Sequence, residues 1–136
     1  METEVFTILT VLWFGVMCIF TFQPGEQTVR VSGSLTRVVE KVIGVAFYTD
    51  EEVLEKRLRF LAHPLEFAVL TVLALLTLSN FKTGTRGAII TVVALILWSI
   101  VSEVLKVRIP GRHCNGIDMI GNLIGVGVGG VIAVLL

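Results

Sequence analysis

The chain has 136 residues, the length of one ordinary domain. Hydrophobic residues make up 54% of it and charged residues 16%, a balance that excludes a water-soluble globule and requires lipid as part of the solvent. The net charge is zero, which removes the usual electrostatic ground for a nucleic-acid partner.

The first predicted element is the apolar run Val5–Phe22, VFTILTVLWFGVMCIFTF. Its length suits a helix crossing about 30 Å of hydrocarbon, and lipid demands a helix because the backbone must satisfy its own hydrogen bonds. Glu2 and Glu4 stand where a signal peptide carries basic residues, and no small-residue cleavage pattern precedes Gln23 and Pro24. The run therefore reads as a retained span. Cys18 within it reads as a small apolar filler; with Cys114 it makes neither a disulfide framework nor a zinc motif.

A polar segment follows. Ser34 is placed to cap a helix that carries Leu35, Val38, Val39, Val42 and Ala46 on one face, with Arg37, Glu40 and Lys41 elsewhere. That amphipathic helix is too short to span and is expected to lie in the headgroup plane. Thr49 then opens TDEE, a capping box completed by Glu52, with Glu52–Lys56 and Glu55–Arg59 as favourable i,i+4 pairs on a helix leading to the next span.

The second span is expected at 60–81. In its HPLEF, Pro64 suits the first turn of a helix, where its missing N–H costs nothing, and His63 and Glu66 share a face three residues apart. After the plain turn FKTGTRG, the third span is expected at 88–107, with Glu103 and Lys106 three apart near its exit. The fourth is expected at 117–136. Asp118, Asn122, Gly125 and Gly129 form one stripe on it, and Gly121, Gly125 and Gly129 form two GxxxG steps that let another helix approach closely. The expected fold is an all-α membrane protein of one domain, residues 1–136: a four-transmembrane-helix bundle with an additional interfacial helix between the first and second spans.

Alternation of four spans sorts the polar residues. Let side A hold both termini and side B be the other. His63, Glu66, Glu103, Lys106, Arg108, Arg112, His113, Asp118 and Asn122 then all fall at side B, with Gln23 at the end of the first span. An ionisable group within a span costs about 2.5–3.5 kcal/mol on insertion scales, so it is normally paired and turned inward. Glu66, Glu103 and Asp118 require cations, and Arg112, Lys106 and His63 are within reach. A single pair, such as Glu103–Arg112 or Asp118–Arg112, reads equally well as a structural clasp. The cluster as a whole exceeds what four helices need for stability and points to a site. No cofactor is expected. A zinc site built from His63, His113 and Cys114 is chemically conceivable, but no metal is expected either.

The ordered set HPLEF, SEVLKVRIPGR and D–x3–N–x2–G, as it stands in DMIGNLIG, resembles the VanZ-like family of bacterial membrane proteins. The likeness covers about Arg57 to Gly129 and, more loosely, TFQPGEQ after the first span. His63, Glu66, Glu103, Arg112, Asp118, Asn122 and Gly125 fall on motif positions. The chain departs from the pattern at Ser102, in place of an acid, at Lys106, in place of a Gln, and at Phe67, in place of the commoner Tyr. The resemblance implies a multi-pass protein of the bacterial cell membrane associated with tolerance of the glycopeptide teicoplanin.

Two functions from different classes fit these residues. The first is binding of an anionic lipid headgroup or lipid-linked envelope precursor. In it Arg112 offers a planar fork, Lys106, Arg108 and His63 add positive charge, and Glu66 and Asp118 orient the donors. The second is a membrane-embedded hydrolase or transferase acting on a lipid phosphate, with His63, Glu66 and Asp118 as candidate acid–base groups. Against it, no nucleophile motif is present. A purely structural subunit is the third reading. Orientation is contested: nine Lys and Arg at side B, against Lys82 and Arg86 at side A, place B in the cytoplasm by the positive-inside rule. Yet six of the nine precede the second span beside six acids, and the link to an antibiotic acting outside the cell favours B outward, which is the expectation adopted.

Overall fold

The computed structural model describes residues 2–43, 51–81 and 83–136, and every regular element among them is helical. The chain runs α1 (Glu2–Phe22), α2 (Gly25–Ile43), α3 (Glu51–Asn80), α4 (Gly84–Leu105) and α5 (Gly116–Leu135), with one 3₁₀ turn at Lys106–Arg108 between α4 and α5. Four segments are long and apolar enough to cross a membrane: Glu4–Phe22, Phe60–Asn80, Gly84–Arg108 and Gly116–Leu135. They coincide with the expected runs, the largest difference being a third span that starts at Gly84 rather than at position 88. The protein is thus an all-α multi-pass membrane protein.

Three local expectations are corrected. The helix between the first two spans begins at Gly25, nine residues before Ser34. Pro24 sets that start, since its carbonyl accepts from Gln27 N at 3.1 Å and Thr28 N at 3.2 Å and a proline needs no donor of its own there. Ser34 is then interior, and its hydroxyl donates to Arg30 O at 2.9 Å instead of capping. Pro64 is likewise interior: α3 runs unbroken from Glu51 through it to Asn80. The charged turns before Phe60 are already helical, so the proline falls in mid-helix and not in a first turn. Thr49 and Ala46 lie outside the described residues, as do the side chains of Glu52, Glu55, Lys56 and Arg59.

Helices α3 and α5 make the closest pairing in the bundle. The glycine stripe explains it. A Cβ on Gly125 would stand 2.2 Å from Pro64 O, and one on Gly129 would stand 2.5 Å from Ala68 O. Both positions need glycine because backbone meets backbone there. The apolar core is small, formed by Met17, Phe67, Leu70 and Val126, with Trp13, Leu95, Ile96 and Trp98 packed against it. Phe67 is 3% exposed in this core, where a tyrosine hydroxyl would need a partner that phenylalanine does not. Trp98 joins α4 to α1 through ring contacts with Phe14 at 5.1 Å and Phe22 at 6.3 Å between centroids.

Candidate functional site

The ends of α1 and α4, the start of α5 and the upper part of the α3 span meet at one end of the bundle. The loop joining α4 to α5 fixes that meeting. Ile109 to Arg112 form a tight turn, with Arg112 N donating to Ile109 O at 3.1 Å, Pro110 at the second position and Gly111 at φ +72°. Proline followed by a residue of positive φ is the type II pattern, for which glycine is suited. The turn is stitched to the α1–α2 corner: Gly25 N donates to Pro110 O at 3.2 Å. A Cβ on Gly25 would be 2.4 Å from Gly111 O, so the two glycines allow the backbones to touch.

Arg112, 7% exposed, reaches across this junction. One guanidinium nitrogen donates to Phe20 O at 2.9 Å and Thr21 O at 3.1 Å. These carbonyls end α1, where the helix dipole favours a cation. A lysine ammonium could reach these carbonyls but lacks the further donors of the guanidinium plane.

The carboxylates find their partners as follows. Glu103, in the last turn of α4, and Lys106, which opens the 3₁₀ turn after it, form a buried ion pair. Asn122 of α5 donates to the same Glu103 oxygen at 3.4 Å. Glu103 Oε2 and Asn122 Oδ1 are buried acceptors without a hydrogen bond among the described residues. Ser102, where the family pattern has an acid, is buried and donates to Ser99 O at 3.1 Å. Asp118 Oδ2 lies 3.5 Å from His63 Nε2, and Glu66 Oε2 lies 4.0 Å from His63 Nδ1, so the imidazole has a carboxylate towards each nitrogen.

Of the residues singled out from sequence, His63, Glu66, Glu103, Lys106, Arg112, Asp118 and Asn122 converge in this region. They do not converge as one ring. Glu103, Lys106 and Asn122 face inward between α4 and α5, whereas His63, Glu66 and Asp118 are partly open. Arg108 is exposed, beyond the buried set. The expected clasps of Arg112 to Glu103 or Asp118 are superseded as the main pairings, since Lys106 takes Glu103 and His63 takes Asp118. His113 and Cys114 are exposed in the loop. A cleft of about 630 Å³ opens beside them, walled by Phe60, Arg112, His113, Asn115, Ile117 and Asp118.

Some contributors were not anticipated from sequence. Asn115 caps α5, its side chain accepting from Ile117 N at 3.0 Å. An asparagine two residues before an apolar run is a legible cap signal. Trp13 Nε1 donates to Glu66 O at 3.0 Å, and no local pattern announces that contact. The Gly25–Pro110 contact had a weaker signal, a glycine after Pro24 and another after Pro110.

The geometry defines a polytopic membrane protein with an ionic cluster and a cleft at one end of its bundle. The VanZ/LLP1 family model matches residues 6–136, nearly the whole chain, and the protein belongs to that family. Comparisons with curated proteins and with solved structures returned no match.

Proposed function

We propose that the protein binds an anionic lipid headgroup, or the head of a lipid-linked envelope precursor, in the cleft at the end of the bundle. The observation that carries this reading is the cleft itself: Arg112, His113 and Asp118 wall it, with apolar Phe60 and Ile117 beside them. A phosphate or carboxylate there meets a guanidinium held by the carbonyls of Phe20 and Thr21. Exposed Arg108 adds charge for approach, and α2 lies in the headgroup plane beside the site. Glu103, Lys106 and Asn122, being buried, support the cleft from behind rather than touching the ligand. VanZ membership suits a ligand in the bacterial envelope, and tolerance of teicoplanin, a lipid-anchored glycopeptide, follows if the protein masks or alters that antibiotic's target.

The test is binding of lipid phosphates to purified protein in nanodiscs. Arg112→Lys is expected to fold and to lose at least tenfold in affinity, His63→Ala to lose less, and Arg108→Gln to lose mainly the salt-sensitive part. Unchanged affinity in Arg112→Lys overturns the reading.

One observation favours a second reading: the His63–Asp118 contact at 3.5 Å resembles an oriented acid–base pair beside the cleft. A hydrolase or transferase acting on a lipid phosphate requires turnover that His63→Ala abolishes while binding persists. No turnover over a broad lipid panel leaves binding as the function.

A further inference from the structure

The cleft has walls of both signs, since Arg112 and Asp118 both line it. The cluster behind it has no positive charge to spare. Glu66, Glu103 and Asp118 stand against Lys106, Arg112 and His63, so that even a protonated His63 only balances the sum. Arg108 and His113 are exposed, where water and salt screen them. A phosphate entering alone would leave a net negative charge at the edge of the hydrocarbon, where an uncompensated charge is costly. A head that brings its own cation keeps the balance.

Asp118 is placed to receive that cation. Its carboxylate is part-buried and holds His63 Nε2 at 3.5 Å, beyond the ~2.7–2.9 Å of a tight charge-assisted bond. The imidazole is shared with Glu66 at 4.0 Å. A carboxylate offers about four acceptor sites, so one distant imidazole does not exhaust Asp118. The backbone supplies a second acceptor. Pro64 lies inside α3 and has no N–H, so the Phe60 carbonyl, four residues earlier, lacks its helical donor. Along the seam, Pro64 meets Gly121 and Gly125, and Ala68 meets Gly129, so α3 and α5 run in the same direction. About one turn before those contacts come Phe60 and Ile117, both walls of the cleft. The carbonyl freed by Pro64 thus belongs to the same end of the seam as Asp118.

Resting on the headgroup reading above, we infer that the ligand's head is zwitterionic, a phosphate ester carrying a primary ammonium, with the phosphate at Arg112 and the ammonium at Asp118 and the Phe60 carbonyl. A primary ammonium brings three N–H donors to these acceptors. A quaternary ammonium brings none and calls for an aromatic cage, whereas Phe60 is the only phenyl ring on the wall.

Nanodiscs of phosphatidylcholine, doped with one test lipid of fixed acyl chains, put this to the test. The lipids are phosphatidylethanolamine, its N-acetylated form and phosphatidylglycerol. Acetylation keeps the phosphate but removes the cation, and glycerol keeps hydroxyl donors without a charge. Phosphatidylethanolamine is expected to bind at least tenfold tighter than either. Asp118→Asn is expected to abolish that preference while phosphatidylglycerol affinity is kept or raised. Pro64→Ala, which returns an N–H to the Phe60 carbonyl, is expected to reduce the preference severalfold. Equal affinity of the unaltered protein for the three lipids, or tighter binding of either lipid without the ammonium, overturns the zwitterion and leaves the headgroup reading standing. That comparison needs no variant, so it decides even where a substitution prevents folding. A preference that survives in folded Asp118→Asn, or is unchanged in Pro64→Ala, overturns the placement of the ammonium. Absence of binding by all three lipids sinks both readings.

Discussion

Glu103 and Lys106 are a pair that a membrane interior makes expensive to break. Both are nearly fully buried, at 0% and 3% exposure, and each is the other's compensation. Lys106→Met leaves Glu103 charged in a site with little water, and removal of one partner from a buried pair costs about 3–5 kcal/mol. The double change Glu103→Gln/Lys106→Met removes both charges and is expected to recover most of that loss. Urea or SDS unfolding in mixed micelles reads the difference. Full additivity of the two single losses would show that the pair is not coupled. The glycines obey a similar local rule with opposite outcomes on one helix. Gly125→Ala drives a methyl into Pro64 O and is expected to lose about 1–3 kcal/mol, whereas Gly127→Ala, with open space around it, is expected to be neutral within about 0.5 kcal/mol. Equal thermal stability of the two variants would contradict the packing described for α3 and α5.

Legibility falls off between elements. The four spans could be read from apolar run length alone, because crossing hydrocarbon leaves the chain so few options. The stripe on α5 was equally plain, since i,i+4 spacing fixes a face whatever lies opposite. Which cation each acid takes was not legible. Glu103 chooses Lys106, three residues on in the turn that follows its helix, and Asp118 chooses His63 on another helix, and that depends on how far each helix is rotated about its axis. Pro64 misled for a related reason: proline marks a helix start in isolation, but here helical turns precede it and α5 packs its glycines against it. The corner between α1 and α2 was the least visible, because its contacts are backbone to backbone across a long stretch of sequence. Arg112 and Gly25 hold the corner through different contacts of one turn, the first through the Phe20 and Thr21 carbonyls and the second through its approach to Gly111. Gly25→Ala is expected to loosen the corner with Arg112 intact. Hydrogen exchange at residues 23–28 should rise severalfold in that variant while exchange in the middle of α3 stays unchanged. Uniform acceleration along the chain would mean that the corner stabilises the whole fold rather than its own junction.

At the scale of the whole molecule, antiparallel alternation brings the polar groups of three helices and a loop to one end, and only the direction of that end in the membrane separates the proposals biologically. Two physical considerations oppose each other. The positive-inside rule counts the nine bases at this end, against Lys82 and Arg86 at the other, and draws the end towards the cytoplasm. However, Lys106 is neutralised by Glu103 and Arg112 is committed to helix carbonyls, and such buried charges act less on topology than free ones at the surface. Six more bases stand beside six acids before the second span. What remains is a weak bias, against which the proposed envelope ligand favours the outward face. Cys114 is a built-in reporter, since it is exposed in the loop beside the cleft and Cys18 is the only other thiol. In a Cys18→Ser background, a membrane-impermeant maleimide is expected to label Cys114 in intact cells as fully as in lysed ones. Labelling that appears only after lysis puts the cluster in the cytoplasm. Headgroup binding would then act on the inner leaflet, and any effect on teicoplanin would have to pass through the supply of envelope precursors rather than through contact with the antibiotic's target. Cys114 labelling in the presence of undecaprenyl phosphate adds a second readout, because a head seated beside Arg112 and His113 should slow the reaction severalfold, and a rate independent of the lipid would separate the loop from the site.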